Sequence, residues 1–141
     1  MSDTIQTSPA GVRDLYSRAA EARENSYAPY SGCRVGSAIR LSDGTVFAGC
    51  NVENSSFGAT ICAERSAIVA AVSAQGTIEI SELMVVTDAA SPWPPCGLCR
   101  QVIAEFGLRC TVYAANTAGD LSTFAFEELY AHPFGPEQMH R

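Results

Sequence analysis

Two short segments carry most of the chemistry-capable side chains of this chain: Cys62-Ala63-Glu64-Arg65 and Pro95-Cys96-Gly97-Leu98-Cys99-Arg100. A Cys-x-x-Cys at the start of a helix turns both sulfurs toward one side, because positions i and i+3 are neighbours on the helix surface. The unpaired amides there favour thiolates and lower the cysteine pKa. A third thiolate at another helix start, Cys62, completes a three-sulfur zinc site, one zinc per chain. Its fourth position stays open for water, the mark of a catalytic zinc. Glu64, two residues beyond Cys62, is placed to handle the protons of that water. Three thiolates on Zn²⁺ leave a formal charge of −1, which Arg65, Arg100 and the two helix N-termini offset from just outside the sulfurs. Each part also has a plainer reading. Acidic residues are common in first helical turns, an Arg there is often only solvated, and a lone Cys-x-x-Cys can be a redox pair, a metal clip or neither. The rival is a thiol redox protein using Cys96/Cys99 with Trp93 upstream. It leaves Cys62 and Glu64 unexplained. A structural zinc module needs a fourth ligand, and no further Cys or His has suitable spacing.

Composition narrows the classes further. All nine basic residues among the 141 are Arg, which excludes a Schiff-base lysine and a Walker-type phosphate loop. A net charge of −6 argues against nucleic-acid partners. No apolar run is long enough to span a bilayer, so no membrane partner is expected. Met1–Thr7 has no leader pattern, and six cysteines without one read as metal-binding or catalytic, which together predict the cytoplasm.

The elements that must position these residues follow from pattern. The length favours one domain over 1–141, with a core of about 12–135 and short polar tails. Ser8-Pro9 reads as N-cap and first helical residue, with Val12, Leu15, Tyr16 and Ala19 at helical spacing. Val35–Leu41 and Thr45–Asn51 are predicted strands joined at Ser42-Asp43-Gly44. Thr60 is the expected cap of a helix running to about Ala74, with Gly76 just past its end. Leu83–Asp88 and Thr111–Ala115 read as buried strands separated by a helix over Cys96–Phe106. A strand over Leu121–Phe124 and a short helix over Phe126–Ala131 complete an α/β layered arrangement.

Taken together, the cysteine segments resemble the signature of the zinc-dependent cytidine deaminases of the small, free-nucleoside type, whose chemistry and three-cysteine variant are well described. Tyr30-Ser31, Val35-Gly36, Asn51-Val52-Glu53-Asn54-Ser55-Ser56-Phe57-Gly58 and Pro133-Phe134 match as well. The resemblance implies a three-layer α/β/α sandwich around a mixed five-stranded sheet, in a homotetramer with active sites at subunit interfaces. It implies zinc on Cys62, Cys96 and Cys99, and hydroxide attack on C4 of cytidine or 2′-deoxycytidine. Glu64 takes the water proton, protonates N3 and assists the departing ammonia. Asn51 and Glu53 bind the ribose, the Ala63 backbone meets the base edge, and Phe134, from a neighbouring chain, helps close the pocket.

Two positions and one segment depart from that pattern. Cys33 stands where the family usually has an aromatic packed on the base, and Phe57 where it usually has Tyr. Ser91-Pro92-Trp93-Pro94 is bulkier and richer in proline than usual. The departures leave room for modified cytidines, or for a cytosine-containing antibiotic of the blasticidin S type. Cys50 and Cys110 read as small buried hydrophobes, and His132 and His140 as non-ligating tail residues.

Overall fold

The computed structural model describes residues 3–139; His140 lies outside them. The strands are β1 (Asp3–Thr4), β2 (Gly36–Leu41), β3 (Val46–Cys50), β4 (Ile80–Thr87), β5 (Thr111–Asn116) and β6 (Asp120–Ala125). The helices are α1 (Ala10–Arg23), α2 (Ala63–Gln75), α3 (Gly97–Phe106), α4 (Phe126–Leu129) and α5 (Pro136–Met139). The sheet runs β1-β6-β5-β4-β2-β3 and is mixed: β4 and β5 are parallel, connected through α3, and the other pairs are antiparallel. It therefore has six strands where five were expected. The added strand is the two-residue β1, which pairs Asp3 with Leu121 and Thr4 with Asp120. Ile5, just beyond it, is buried, so the N-terminal segment is part of the packing and not a polar tail.

Alternation along the strands makes the three layers. Ala38 of β2 and Met84 and Val86 of β4 meet Val12, Leu15 and Ala19 of α1 on one face. Ile39, Leu41 and Leu83 turn to the other face, against Ala67, Ile68 and Ala71 of α2 and Ile103 of α3. Where α1 crosses β2 the strand has Gly36, and a Cβ there would collide with the Ala19 carbonyl oxygen. Gly36→Ala is therefore expected to destabilise the protein by about 2–3 kcal/mol through overpacking. Chemical denaturation reads this directly, and an unchanged midpoint would contradict so close an approach. At the β2–β3 turn Gly44 has φ +89°, and Asp43 accepts from the Thr45 amide at 2.9 Å, as the hairpin signal required.

Two helix starts lie elsewhere than their sequence signals placed them. The N-cap of α1 is Pro9, because the Ser8 hydroxyl donates to the Thr4 carbonyl (2.7 Å) instead of capping. The N-cap of α2 is Cys62, because Thr60 precedes a bridge between Val52 and Ile61 and its hydroxyl accepts from the Asn54 amide. No helix among the described residues is long and apolar enough to cross a membrane.

Candidate metal centre and active site

The N-termini of α2 and α3 meet beside the carboxyl end of β4. Cys62 and Cys96 are the N-caps of α2 and α3, and Cys99 lies in the first turn of α3. Each places its sulfur where backbone amides are free of helical partners. The three sulfurs lie within 4.8 Å of one another, with Cys62 Sγ 3.7 Å from Cys96 Sγ. All three are free thiols. Among the described residues no fourth Cys, His, Asp or Glu joins this group. A redox pair of Cys96 and Cys99 has no use for a third sulfur at this distance.

The donor chemistry fits zinc. Soft thiolates select it, and three protein ligands leave a position for water or substrate. The surrounding charge fits as well. Arg65 donates to Cys62 Sγ at 3.6 Å, and its buried Nε has no hydrogen-bond partner. The guanidinium thus faces the sulfurs as a counter-charge. The Cys99 thiol and the Arg65 guanidinium beside it pull Cys62 down to about 5, while Cys99 is pushed up. Protons therefore compete with a cation for this cluster. Arg100 has a different task from the one expected of it. Its Nε donates to the Pro95 carbonyl (2.8 Å) and its Nη1 to the Leu129 carbonyl (2.7 Å), so it pins the loop carrying Cys96 without touching a sulfur.

Glu64 is 4% exposed, in the first turn of α2 beside the sulfurs. Burial raises its carboxyl from 4.5 to about 7, and the neighbouring Cys62 thiolate adds to the rise. A carboxyl poised there can both take and give a proton near neutrality. The shift also has a stability consequence. A group whose folded value is raised contributes most below its unfolded value and loses that contribution as pH rises through the folded one. Metal-free Glu64→Gln, which carries no such charge, should therefore gain stability relative to metal-free wild type between pH 4.5 and about 7.5. The gain approaches about 3 kcal/mol at roughly 1.4 kcal/mol per pH unit. Denaturation midpoints of both proteins across that range check it, and parallel profiles would contradict a buried, titrating Glu64.

Above the sulfurs lies a cavity of about 280 Å³. Cys62, Ala63, Glu64 and Cys96 line it with Val85 and Thr87 of β4, and Cys33, Asn51, Glu53, Trp93 and Pro94 also face it. Among the described residues no Arg or His lines it. Asn51 donates to the Cys33 carbonyl (2.7 Å) and accepts from the Val35 amide (2.9 Å). Glu53 accepts from the Tyr30 and Ser31 amides (2.9 and 3.1 Å) and from the Ser31 hydroxyl, which holds its carboxyl below the usual carboxylate range. Both side chains thus fasten the 26–35 loop against the cavity while still facing it. Arg23, buried at the end of α1, completes the frame: it donates to the Arg34 carbonyl (2.9 Å) and pairs with Asp88 (2.9 Å), just past β4.

Two expected residues lie outside this cavity. Phe57 is 73% exposed and packs edge-on against Tyr30 (5.6 Å) in an adjoining hollow. Phe134 is 55% exposed, and only its carbonyl is engaged, by Gln101 (2.8 Å). Cys110 is buried as expected, whereas Cys50 is only half-buried on the edge strand β3. Among the described residues His132 joins no group that could hold a metal. Sequence reasoning missed Val85, Thr87 and Trp93 as walls of the cavity. Only Trp93, the single tryptophan, carried a signal that could have found it.

Comparison with known proteins meets this geometry. The curated cytidine deaminase of Halalkalibacterium halodurans is 44% identical over 126 residues, covering 89% of this chain and 95% of that protein. The cytidine deaminase of Sporosarcina psychrophila is 43% identical over 129 residues, covering 91% and 94%. The crystal structure of cytidine deaminase from Burkholderia pseudomallei superposes with a TM-score of 0.82 at 40% identity, over 86% of this chain and 98% of that one. Residues 11–115, which hold all three cysteines and Glu64, match the cytidine and deoxycytidylate deaminase zinc-binding region, and it is to this family that the chain belongs.

Proposed function

We propose that this chain is a zinc-dependent deaminase of free cytosine nucleosides, converting cytidine and 2′-deoxycytidine with water to the corresponding uridines and ammonia. One observation carries the reading. Three free sulfurs converge beside a buried carboxyl, under a cavity that no basic side chain among the described residues lines. Cys62, Cys96 and Cys99 would hold the zinc. When bound, zinc is a Lewis acid that makes water a competent nucleophile at neutral pH.

The chain's own residues do the rest. Glu64 accepts one proton of the attacking water and delivers it to ring N3. It then carries the second from the new C4 hydroxyl to the amine, which leaves as ammonia as its bond to C4 breaks and the C4 carbonyl forms. Its burial keeps that proton from bulk water and its affinity near neutrality. Arg65 balances the thiolate charge, and Arg100 positions the Cys96 loop. The Ala63 backbone borders the reacting end of the cavity. Asn51 and Glu53, fixed by their loop contacts, offer their remaining polar capacity to the sugar. A Glu53 carboxylate held ionised repels a 5′-phosphate, so nucleosides are favoured over nucleotides and polynucleotides. The exposed rings of Phe57 and Phe134 suit a homotetramer in which they close a neighbouring copy's cavity. Six free thiols suit the reducing cytoplasm.

A substrate panel tests the reading by loss of ultraviolet absorbance on deamination. Cytidine and 2′-deoxycytidine should be consumed, while their 5′-monophosphates, an oligodeoxycytidine and a blasticidin-type antibiotic should not. Turnover of the antibiotic alone, or preference for the monophosphates, would overturn it.

A further inference from the structure

Cys33 gives the cavity wall no ring, and the structure supplies one from another element. We propose that Trp93 is the specificity-determining residue whose indole face packs against the pyrimidine ring of the substrate, an inference that rests on the nucleoside reading above. Among the described residues Trp93 is the one aromatic that lines the cavity over the sulfurs. Cys33 also lines it but offers only a thiol. The other nearby rings are placed elsewhere, Tyr30 and Phe57 packing on each other and Phe134 lying outside.

Trp93 is 45% exposed, and its indole is a large apolar surface bordering the cavity. Its backbone is unusually constrained. Pro92 precedes it, and Pro94 and Pro95 follow it. Proline fixes its own φ and also restricts the residue before it to extended conformations. Arg100 clamps the Pro95 carbonyl at 2.8 Å, so the loop that presents the ring is tied to the helix that presents Cys99. Trp93 and Cys96, three residues apart, face the same cavity. The backbone that carries the ring is thus fixed relative to the sulfurs. A preorganised wall of this kind gives binding at little ordering cost.

Because Trp93 is the only tryptophan, its emission reports on the site without any turnover. Excited at the red edge, the wild-type protein should show saturable quenching by uridine, the reaction product, and none by ribose. Trp93→Leu should raise KM for cytidine about 10-fold, from the loss of base–aromatic stacking, with kcat changed by less than about threefold. Trp93→Phe should recover most of the loss. Emission unmoved by uridine, or an unchanged KM in a folded Trp93→Leu, would overturn the proposal. If Trp93→Leu does not fold, the wild-type emission and the Trp93→Phe KM decide it. A wild type that quenches with uridine but deaminates no cytosine nucleoside would sink the function and leave Trp93 as a pyrimidine contact.

Discussion

Glu64→Ala should keep about one zinc per chain and lose turnover of cytidine by about 10²–10⁴-fold, the usual contribution of a positioned acid–base group. The prediction separates two roles that lie side by side. Glu64 is not one of the three converging donors, so removing its carboxyl leaves the sulfurs intact. Its burial makes it the group that holds a proton near neutrality beside them. Truncation also relieves a buried charge, so the metal-free variant should be at least as stable as wild type above pH 7. Metal content by atomic emission and steady-state kinetics on the same sample settle it. Zinc retained with full activity would remove Glu64 from the mechanism, and zinc lost would make it a ligand.

Cys99→Ala should fail differently. Cys99 is fully buried in the first turn of α3 and packs into the hydrophobic layer under the sulfurs. Without it two cysteines remain, too few for tight binding, so zinc and activity should disappear together. A ligand bound at 100 times its Kd stabilises the folded state by about 2.7 kcal/mol, and loss of that contribution lowers Tm by roughly 10 °C in a domain of this size. A chelator should lower the wild-type Tm by a similar amount and leave that of Cys99→Ala where it is. Stoichiometric zinc in the variant would contradict the three-sulfur assignment.

Much of this site was readable in the sequence because its parts are local. Cys62 to Glu64 and Cys96 to Cys99 each span less than one turn, and helix geometry turns such spacing into proximity. The layers were legible for a similar reason: Leu83–Val86 alternates between two buried faces, and α1 shows one apolar stripe. What escaped depends on distant partners. The two-residue β1 has no strand pattern of its own and exists only through its pairing with β6. Ser8 and Thr60 are good caps by type, but each hydroxyl is taken by another segment. Arg100 sits beside a ligand in sequence, yet its guanidinium reaches Leu129, 29 residues away. Asn51 and Glu53 were read as sugar contacts. Their bonds to the 26–35 loop, which shape the cavity wall, cross 16 to 23 residues of chain. Trp93 drew notice only as the tryptophan of a redox-like loop and as unusual bulk before Cys96; its place in the cavity is a property of the fold.

The central claim is that a metal held by Cys62, Cys96 and Cys99 enables this chain to deaminate cytidine. The most direct measurement follows uridine and ammonia released from cytidine by protein that has been stripped of metal and then reconstituted with one equivalent of zinc. The stripped protein should release neither, and the reconstituted protein should release both in a one-to-one ratio. Equal release before and after zinc, or a fully loaded protein that leaves cytidine unchanged, would contradict it.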